Sequence, residues 1–218
     1  MKVVIVGSGN VATHLALAFL AGGFEVSKIW SNNYSNALNL ATKVNANAIE
    51  DLAEVDDDAD LLVIAIKDDA IAEAVLKLKD FKGVVLHTAG SVNLNVFENK
   101  FKNYGVLYPL QTFSKDKPLH FKNIPLCVEA NNEETLAFIK AVAIKLSDKV
   151  EEVDSEKRKV LHLSAVFACN FTNHLYALAE DLLVENDLNF DLLKPLMEKQ
   201  PALLEIYKTL SNSIKKHN

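Results

Sequence analysis

The sequence predicts an α/β protein in which a doubly wound, mostly parallel sheet is followed by a smaller all-helical domain. Three observations predict it. Short, β-branched apolar runs alternate with segments of helical period from the N-terminus to about residue 153, the pattern of repeated βαβ units. These runs lack polar alternation, as expected of strands covered on both faces. From Asp154 onward the periodicity is helical throughout.

The first strand is Val3–Val6, closed by Gly7. Asn10–Ala21 has helical spacing, with Val11, Leu15, Ala18 and Phe19 on one side and Gly22-Gly23 as a C-terminal stop. Glu25–Trp30 reads as a second strand, Tyr34–Val44 as a helix and Asn47–Ile49 as a short third strand. Asp60–Ile66 is the strongest strand signal, because Leu61–Ile66 carries no polar break. Asp69–Leu78 is helical, with Asp69 a potential cap. Gly83–Thr88 and Tyr104–Tyr108 are strands, Pro118–Pro125 a loop, Leu126–Glu129 a strand, Asn132–Ser147 a helix and Lys149–Val153 an edge strand.

A long helix is then expected from Asp154 or Ser155, either of which suits a cap, to about Glu185. Its middle (Leu163, Ala165, Val166, Phe167, Ala168, Phe171, Leu175) is apolar nearly all round, so burial on most sides is expected. Phe190–Lys199 and Pro201–Lys216 read as two shorter helices. The expected domains are 1–153 and 154–218. The second is small for an independent core and should lean on the first, on a second subunit, or on both.

Composition excludes several classes. The 218 residues are 50% hydrophobic and 24% charged, with net charge −6, which gives no electrostatic footprint for nucleic acid. Arg158 is the only arginine among 23 basic residues, so bidentate arginine clamps on phosphate are nearly excluded. Cys127 and Cys169 lack metal-ligand spacing and sit in apolar contexts, where buried thiols are expected. No apolar stretch is long enough for a membrane span, and the N-terminal run is too short for a signal peptide, so a cytoplasmic address and no membrane partner are expected.

Gly7-Ser8-Gly9-Asn10-Val11-Ala12 matches G-x-G-x-x-A, directly after a strand and opening a helix. This is the Rossmann dinucleotide fingerprint in its proper context. Gly7 permits the tight turn, Gly9 lets the backbone approach a pyrophosphate, and Ala12 allows close helix-to-strand packing. The helix N-terminus supplies free N–H groups to the anion. The second strand ends in Ser31-Asn32-Asn33, with no carboxylate to hold a ribose 2′-hydroxyl. Those side chains can donate hydrogen bonds to a 2′-phosphate, so NADP is expected, with NAD possible. Ile66 and Lys67, then Thr88, Gly90 and Ser91 beside His87, end strands at the same carboxyl edge. The expected cofactor contacts are thus Gly7, Ser8, Gly9, Asn10, Val11, Ser31, Asn32, Asn33, Ile66, Lys67, Thr88 and Gly90.

Leu86–Ser91, Tyr108–Ser114 and His162–Tyr176 resemble a bacterial family of oxidoreductase-like proteins that joins a Rossmann-like domain to a helical C-terminal domain of unassigned function. The layout is more distantly similar to pyrroline-5-carboxylate reductase, deazaflavin-dependent NADP oxidoreductases and β-hydroxyacid dehydrogenases. The resemblance implies the fold and the cofactor class. It also implies a substrate between the nucleotide domain and a long helix, and dimer contacts from the helical domain. One departure is that Leu196-Met197 passes directly to Glu198-Lys199-Gln200-Pro201, where the family has a polar, glycine-rich segment.

On a straight α-helix, Asn170, Asn173 and His174 fall within about 120° of His162. Polar groups on an otherwise apolar helix need partners, which a substrate would supply. His174, Asn170 and His87 are the expected catalytic residues, with histidine as general acid or base. Ser91, Gln111 and Asn173 are the expected substrate contacts, Gln111 because it follows the strand ending Tyr108-Pro109. No metal site is expected: His162 and His174 are about 18 Å apart along one helix, and His87 with His174 has no accompanying ligand motif. Ser8 lies in a dinucleotide fingerprint and not in the G-x-S-x-G of hydrolases.

Two functions fit. One is an NAD(P)-dependent oxidoreductase moving hydride to or from a small carbonyl, imine or hydroxy compound. The other is a non-catalytic NAD(P)-binding regulatory or interaction protein, favoured by the absence of lysine between Lys159 and Lys194. A small-molecule substrate and a homodimer formed through the helical domain are the expected partners.

Overall fold

The computed structural model describes residues 1–55, 58–114 and 119–197. Its eight strands are β1 (Lys2–Val6), β2 (Glu25–Trp30), β3 (Asn47–Ile49), β4 (Leu61–Ile64), β5 (Val84–His87), β6 (Asn103–Pro109), β7 (Leu126–Ala130) and β8 (Val150–Glu152). They form one sheet in the order β3-β2-β1-β4-β5-β6-β7-β8. Every pairing is parallel except β6 with β7. A parallel return needs a helical crossover. The described part of the β6–β7 connection carries only one 3₁₀ turn, Phe121–Asn123, so the chain comes back antiparallel.

Four helices cover the sheet: α1 (Asn10–Ala21), α2 (Tyr34–Val44), α3 (Ile71–Lys77) and α4 (Glu133–Leu146). Val3 and Ile5 of β1 pack in the core shared with α1, α2 and α4. Val4 and Val6 face the opposite core, with Ile71, Ala74 and Val75 of α3. Because both faces are covered, β1 from Val3 to Val6 and all of β4 are 0% exposed. This is why the runs carry no polar alternation. The predicted Asp69–Leu78 helix begins as a 3₁₀ turn at Asp68–Ala70, and Asp69 caps neither segment.

Chain order reverses between β1 and β4, since β2 lies on one side of β1 and β4 on the other. Such a switch point opens a crevice outside the carboxyl ends of the strands, where this fold class binds its ligands.

The chain divides into two compact units, Met1–Ala165 and Val166–Asn218. The first includes α5 (Ser155–Ala165), which follows the end of the strand–helix alternation. Asp154 caps α5 by accepting from the Lys157 amide at 2.8 Å. Arg158 then fastens the helix to the sheet. It is 0% exposed and pairs with Glu129 of β7. It also donates to the Val92 carbonyl at 2.6 Å and to Ser155 Oγ at 3.1 Å.

The second unit begins with a π-helical segment, Val166–Phe171, followed by α6 (Thr172–Val184), a 3₁₀ turn at Phe190–Leu193 and α7 (Lys194–Met197). The single long α-helix of the sequence reading is thus interrupted. The predicted end of the Phe190–Lys199 helix, the Pro201–Lys216 helix and the Glu198–Pro201 junction lie outside the described residues. Among the described residues, Leu163, Phe167, Phe171 and Leu175 of the apolar stretch are each more than half exposed. Cys127 is buried as expected, whereas Cys169, on the π segment, is exposed.

Candidate functional site

The crevice at the switch point is a cleft of ≈ 630 Å³, built by the ends of β1, β2, β4 and β5 and by one face of α3. Gly7 closes β1 with φ +134°, and its amide donates to the Trp30 carbonyl at 2.7 Å. A Cβ at Gly7 would overlap the Ala65 carbonyl oxygen and lie 2.8 Å from its carbon. Glycine is therefore required there by the packing of β1 against the end of β4. Gly9 differs: a Cβ would meet nothing within 4 Å and would project into open space. Gly9 occupies the N-cap of α1 with no side-chain cap, which leaves the first-turn amides available. An open concavity in front of free helix-terminal N–H groups fits a pyrophosphate.

Of the expected cofactor contacts, Gly7, Ser8, Gly9, Asn10, Val11, Ser31, Asn32, Ile66, Lys67 and Thr88 line the cleft. Ser8 Oγ and Ser31 Oγ are hydrogen-bonded at 2.7 Å, which ties the fingerprint loop to the end of β2. Two expected contacts do not line it. Asn33 uses its side chain to cap α2, accepting from the Asn36 amide. Gly90 is held against His162: a Cβ there would lie 2.6 Å from the ring Cγ and Nδ1. This glycine permits the close approach of an imidazole of α5.

Sequence reasoning missed Trp30, Leu52, Ala70, Glu73, Ala74 and Lys77, which also line the cleft. Positions 70, 73, 74 and 77 share one helical face, a spacing that was readable in advance. Asp68 also lines the cleft and accepts a short hydrogen bond from Ser91 Oγ. Ser91 thereby bridges the β4 and β5 loops. The loop after β6 is tied to α1: Asn10 Nδ2 donates to the Phe113 carbonyl at 2.9 Å, and His14 Nε2 bonds the Ser114 carbonyl at 2.8 Å. Gln111 in this loop is exposed, and its Oε1 accepts from the neighbouring Thr112 amide at 2.8 Å.

His87, expected to be catalytic, lies away from the cleft surface. It ends β5 with 0% exposure, packs on Phe97 at 5.5 Å and accepts from the Ala89 amide at Nδ1. Burial, and after it the nearby Arg158 charge, push its pKa down to about 3, against a smaller opposing influence of the Asn93 backbone. Its ring is therefore neutral at ordinary pH, and among the described residues Nε2 makes no hydrogen bond of ordinary geometry. His87 is thus placed in the core of the sheet, outside the lining of the cleft.

Asn170, Asn173 and His174 lie in the second unit, Asn170 on the π segment and the others in the first turn of α6, all exposed. The π-helical segment Val166–Phe171 does not keep the uniform 100° rotation per residue of an α-helix. His162, in the first unit, is bonded to the end of β6. Tyr108 Oη and His162 Nδ1 are 2.9 Å apart, with the rings edge to face at 5.8 Å. Burial raises the Tyr108 pKa to about 12, so the phenol stays neutral. Among the described residues no group of three His, Cys, Asp or Glu side chains is arranged to hold a metal. No described helix is long and apolar enough to cross a membrane.

The chain is similar to known proteins over most of its length. Residues 2–87 match the family model described as NADP oxidoreductase coenzyme F420-dependent, and residues 124–205 match a domain of unknown function, DUF2520. A solved structure described as a candidate NADP oxidoreductase from Bacteroides fragilis is 44% identical, with TM-score 0.85, covering 94% of this chain and 80% of its own. Pyrroline-5-carboxylate reductase of Aquifex aeolicus is 31% identical over 98 residues, which span 45% of this chain and 37% of the reductase. A reductive aminase from Aspergillus terreus, solved with NADPH and ethyl-5-oxohexanoate, has TM-score 0.77 at 15% identity, covering 99% of this chain and 77% of its own. At that identity the likeness concerns the fold alone.

Proposed function

The chain belongs to the family of the Bacteroides fragilis NADP oxidoreductase-like protein, and from that premise we propose that it is an NADP-dependent oxidoreductase. It moves hydride between the nicotinamide and a small imine, carbonyl or hydroxy compound. The observation that carries this reading is the cleft at the switch point, where Gly9 leaves open space before the free amides of α1. The dinucleotide supplies the hydride. The protein holds the pyrophosphate at Gly9–Val11 and the 2′-phosphate at Ser31 and Asn32, where no carboxylate repels it. Asn170, Asn173 and His174 remain proposed substrate contacts, to be tested by alanine substitution.

The protein works in the cytoplasm as a homodimer. Phe167, Phe171, Leu175, Leu178 and Leu182 are each at least 45% exposed in the single chain, and a second copy would cover them. Light scattering should give about twice the 24.1 kDa chain mass.

Trp30 lines the cleft and is the only tryptophan, so energy transfer from it to reduced nicotinamide reports binding directly. Titration with NADPH should saturate at micromolar concentration, with NADH weaker. Absence of transfer from either at millimolar concentration would refute both the enzyme and the non-catalytic nucleotide-binding alternative.

A further inference from the structure

Resting on the oxidoreductase reading, we propose that His162 is the residue that exchanges a proton with the substrate, and that Tyr108 positions it. Three observations converge. Arg158, one helical turn before His162, is wholly buried and bonded to Glu129, Val92 and Ser155. This locks the rotation of α5, so His162 on the same face is turned to the carboxyl edge of β5 and β6. There Gly90 has no side chain, and the imidazole packs where a Cβ would stand. Gly90 follows Ala89, a lining residue of the cleft, and precedes Ser91, which is bonded to the cleft residue Asp68. The ring is thus seated beside the cleft end that the strand termini of β4 and β5 define.

Tyr108 Oη takes up Nδ1 at 2.9 Å, and the edge-to-face contact fixes the ring plane. His162 makes no other hydrogen bond among the described residues and is partly exposed, so Nε2 is left for a ligand. A histidine with one nitrogen held by a neutral hydroxyl and the other free is arranged for proton transfer.

In the reductive direction the imidazolium holds Nδ1–H toward Tyr108 Oη and Nε2–H toward the substrate. As hydride from the reduced nicotinamide dinucleotide adds to the carbon of a C=N or C=O bond, the π pair moves to nitrogen or oxygen. That atom takes the Nε2 proton. The product is the amine or alcohol, the dinucleotide is left oxidised, and the neutral imidazole regains its proton from solvent. In the oxidative direction the same nitrogen accepts the proton.

The test uses wild type, His162→Asn and Tyr108→Phe. Asparagine keeps a polar atom near the Nδ1 position and lacks Nε2. Phenylalanine keeps the ring and removes the hydroxyl. NADPH affinity by Trp30 energy transfer should stay within about threefold in both, because neither residue lines the cleft. With 1-pyrroline and cyclopentanone as probes, His162→Asn should lose about 100-fold in kcat, the lower end of the range for a general acid. Tyr108→Phe should lose about tenfold in kcat with KM little changed. A second readout needs no turnover. In ¹⁵N-histidine-labelled protein loaded with NADP⁺, either probe should move the Nε2 resonance of His162 and leave Nδ1 nearly still. Wild type that turns over while His162→Asn retains its kcat within threefold overturns the assignment and spares the oxidoreductase reading, as does turnover with no Nε2 movement. Failure of wild type to bind NADPH, or to reduce either probe, overturns both.

Discussion

Gly7 and Gly9 belong to one motif, yet the structure gives them opposite duties, and alanine at each position separates fold from function. At Gly7 an added methyl overlaps the Ala65 carbonyl, and φ is +134°. Backbone strain for a residue with Cβ in that region costs about 1–3 kcal/mol. Forcing apart β1 and the end of β4, where Ala65 N bonds Val6 O at 2.8 Å, adds about 1–3 kcal/mol. Gly7→Ala should therefore lose about 2–6 kcal/mol, a large share of an ordinary domain's stability. At Gly9 φ is −71° and a Cβ meets nothing, so no strain arises. The gain from a stiffer unfolded chain, about 0.4–1 kcal/mol, is offset by alanine's poorer N-cap behaviour. Gly9→Ala should keep stability within about 1 kcal/mol while its methyl stands in the proposed pyrophosphate position and weakens NADPH binding at least about tenfold, the equivalent of 1.4 kcal/mol. Urea unfolding and Trp30 energy transfer measure the two quantities separately. A Gly7→Ala protein as stable as wild type, or a Gly9→Ala protein that binds NADPH normally, would refute this division of labour.

Three further outcomes are expected. Arg158→Met should cost about 3 kcal/mol in urea unfolding, because it strands the Glu129 carboxylate, whose side chain is 17% exposed. Adding Glu129→Gln should restore part of that loss, and a single variant within about 1 kcal/mol of wild type would contradict the anchoring role. His87 has a folded pKa depressed to about 3 from 6.5, so the folded state disfavours its protonated form. Its contribution is full above about pH 6.5 and is lost as pH falls toward 3, about 2–3 kcal/mol by pH 4.5. His87→Leu should flatten that limb of the stability profile, and parallel profiles would exclude it. Asn32→Asp should weaken NADPH by at least about tenfold and NADH much less, since like charge opposes the 2′-phosphate; equal effects would move that phosphate elsewhere.

The sheet was legible because its strands are interior. Each residue from Val3 to Val6 and from Leu61 to Ile64 is buried, so the sequence shows unbroken apolar runs. The fingerprint was legible because a strand, two glycines and a helix start are local features. The rest depended on distance. Tyr108 meets His162 from 54 residues away, and Glu129 meets Arg158 from 29. No local pattern announces either pair. His87 carried a signal that residue type outweighed, since its apolar strand neighbours already implied burial. The π segment has no marker in Val166–Phe171, whose residues would serve an α-helix equally well. The α3 face at Ala70, Glu73, Ala74 and Lys77 repeats with helical period, but that period does not distinguish a face lining a cleft from one facing solvent.

Backbone ¹H–¹⁵N spectra recorded during addition of NADPH reach the main-chain amides that the account depends on. Saturable displacement of the Gly9, Asn10 and Val11 resonances, with Ser31 and Asn32 moving more for NADPH than for NADH, is the expected result. Unmoved fingerprint amides in the presence of millimolar NADPH would contradict it.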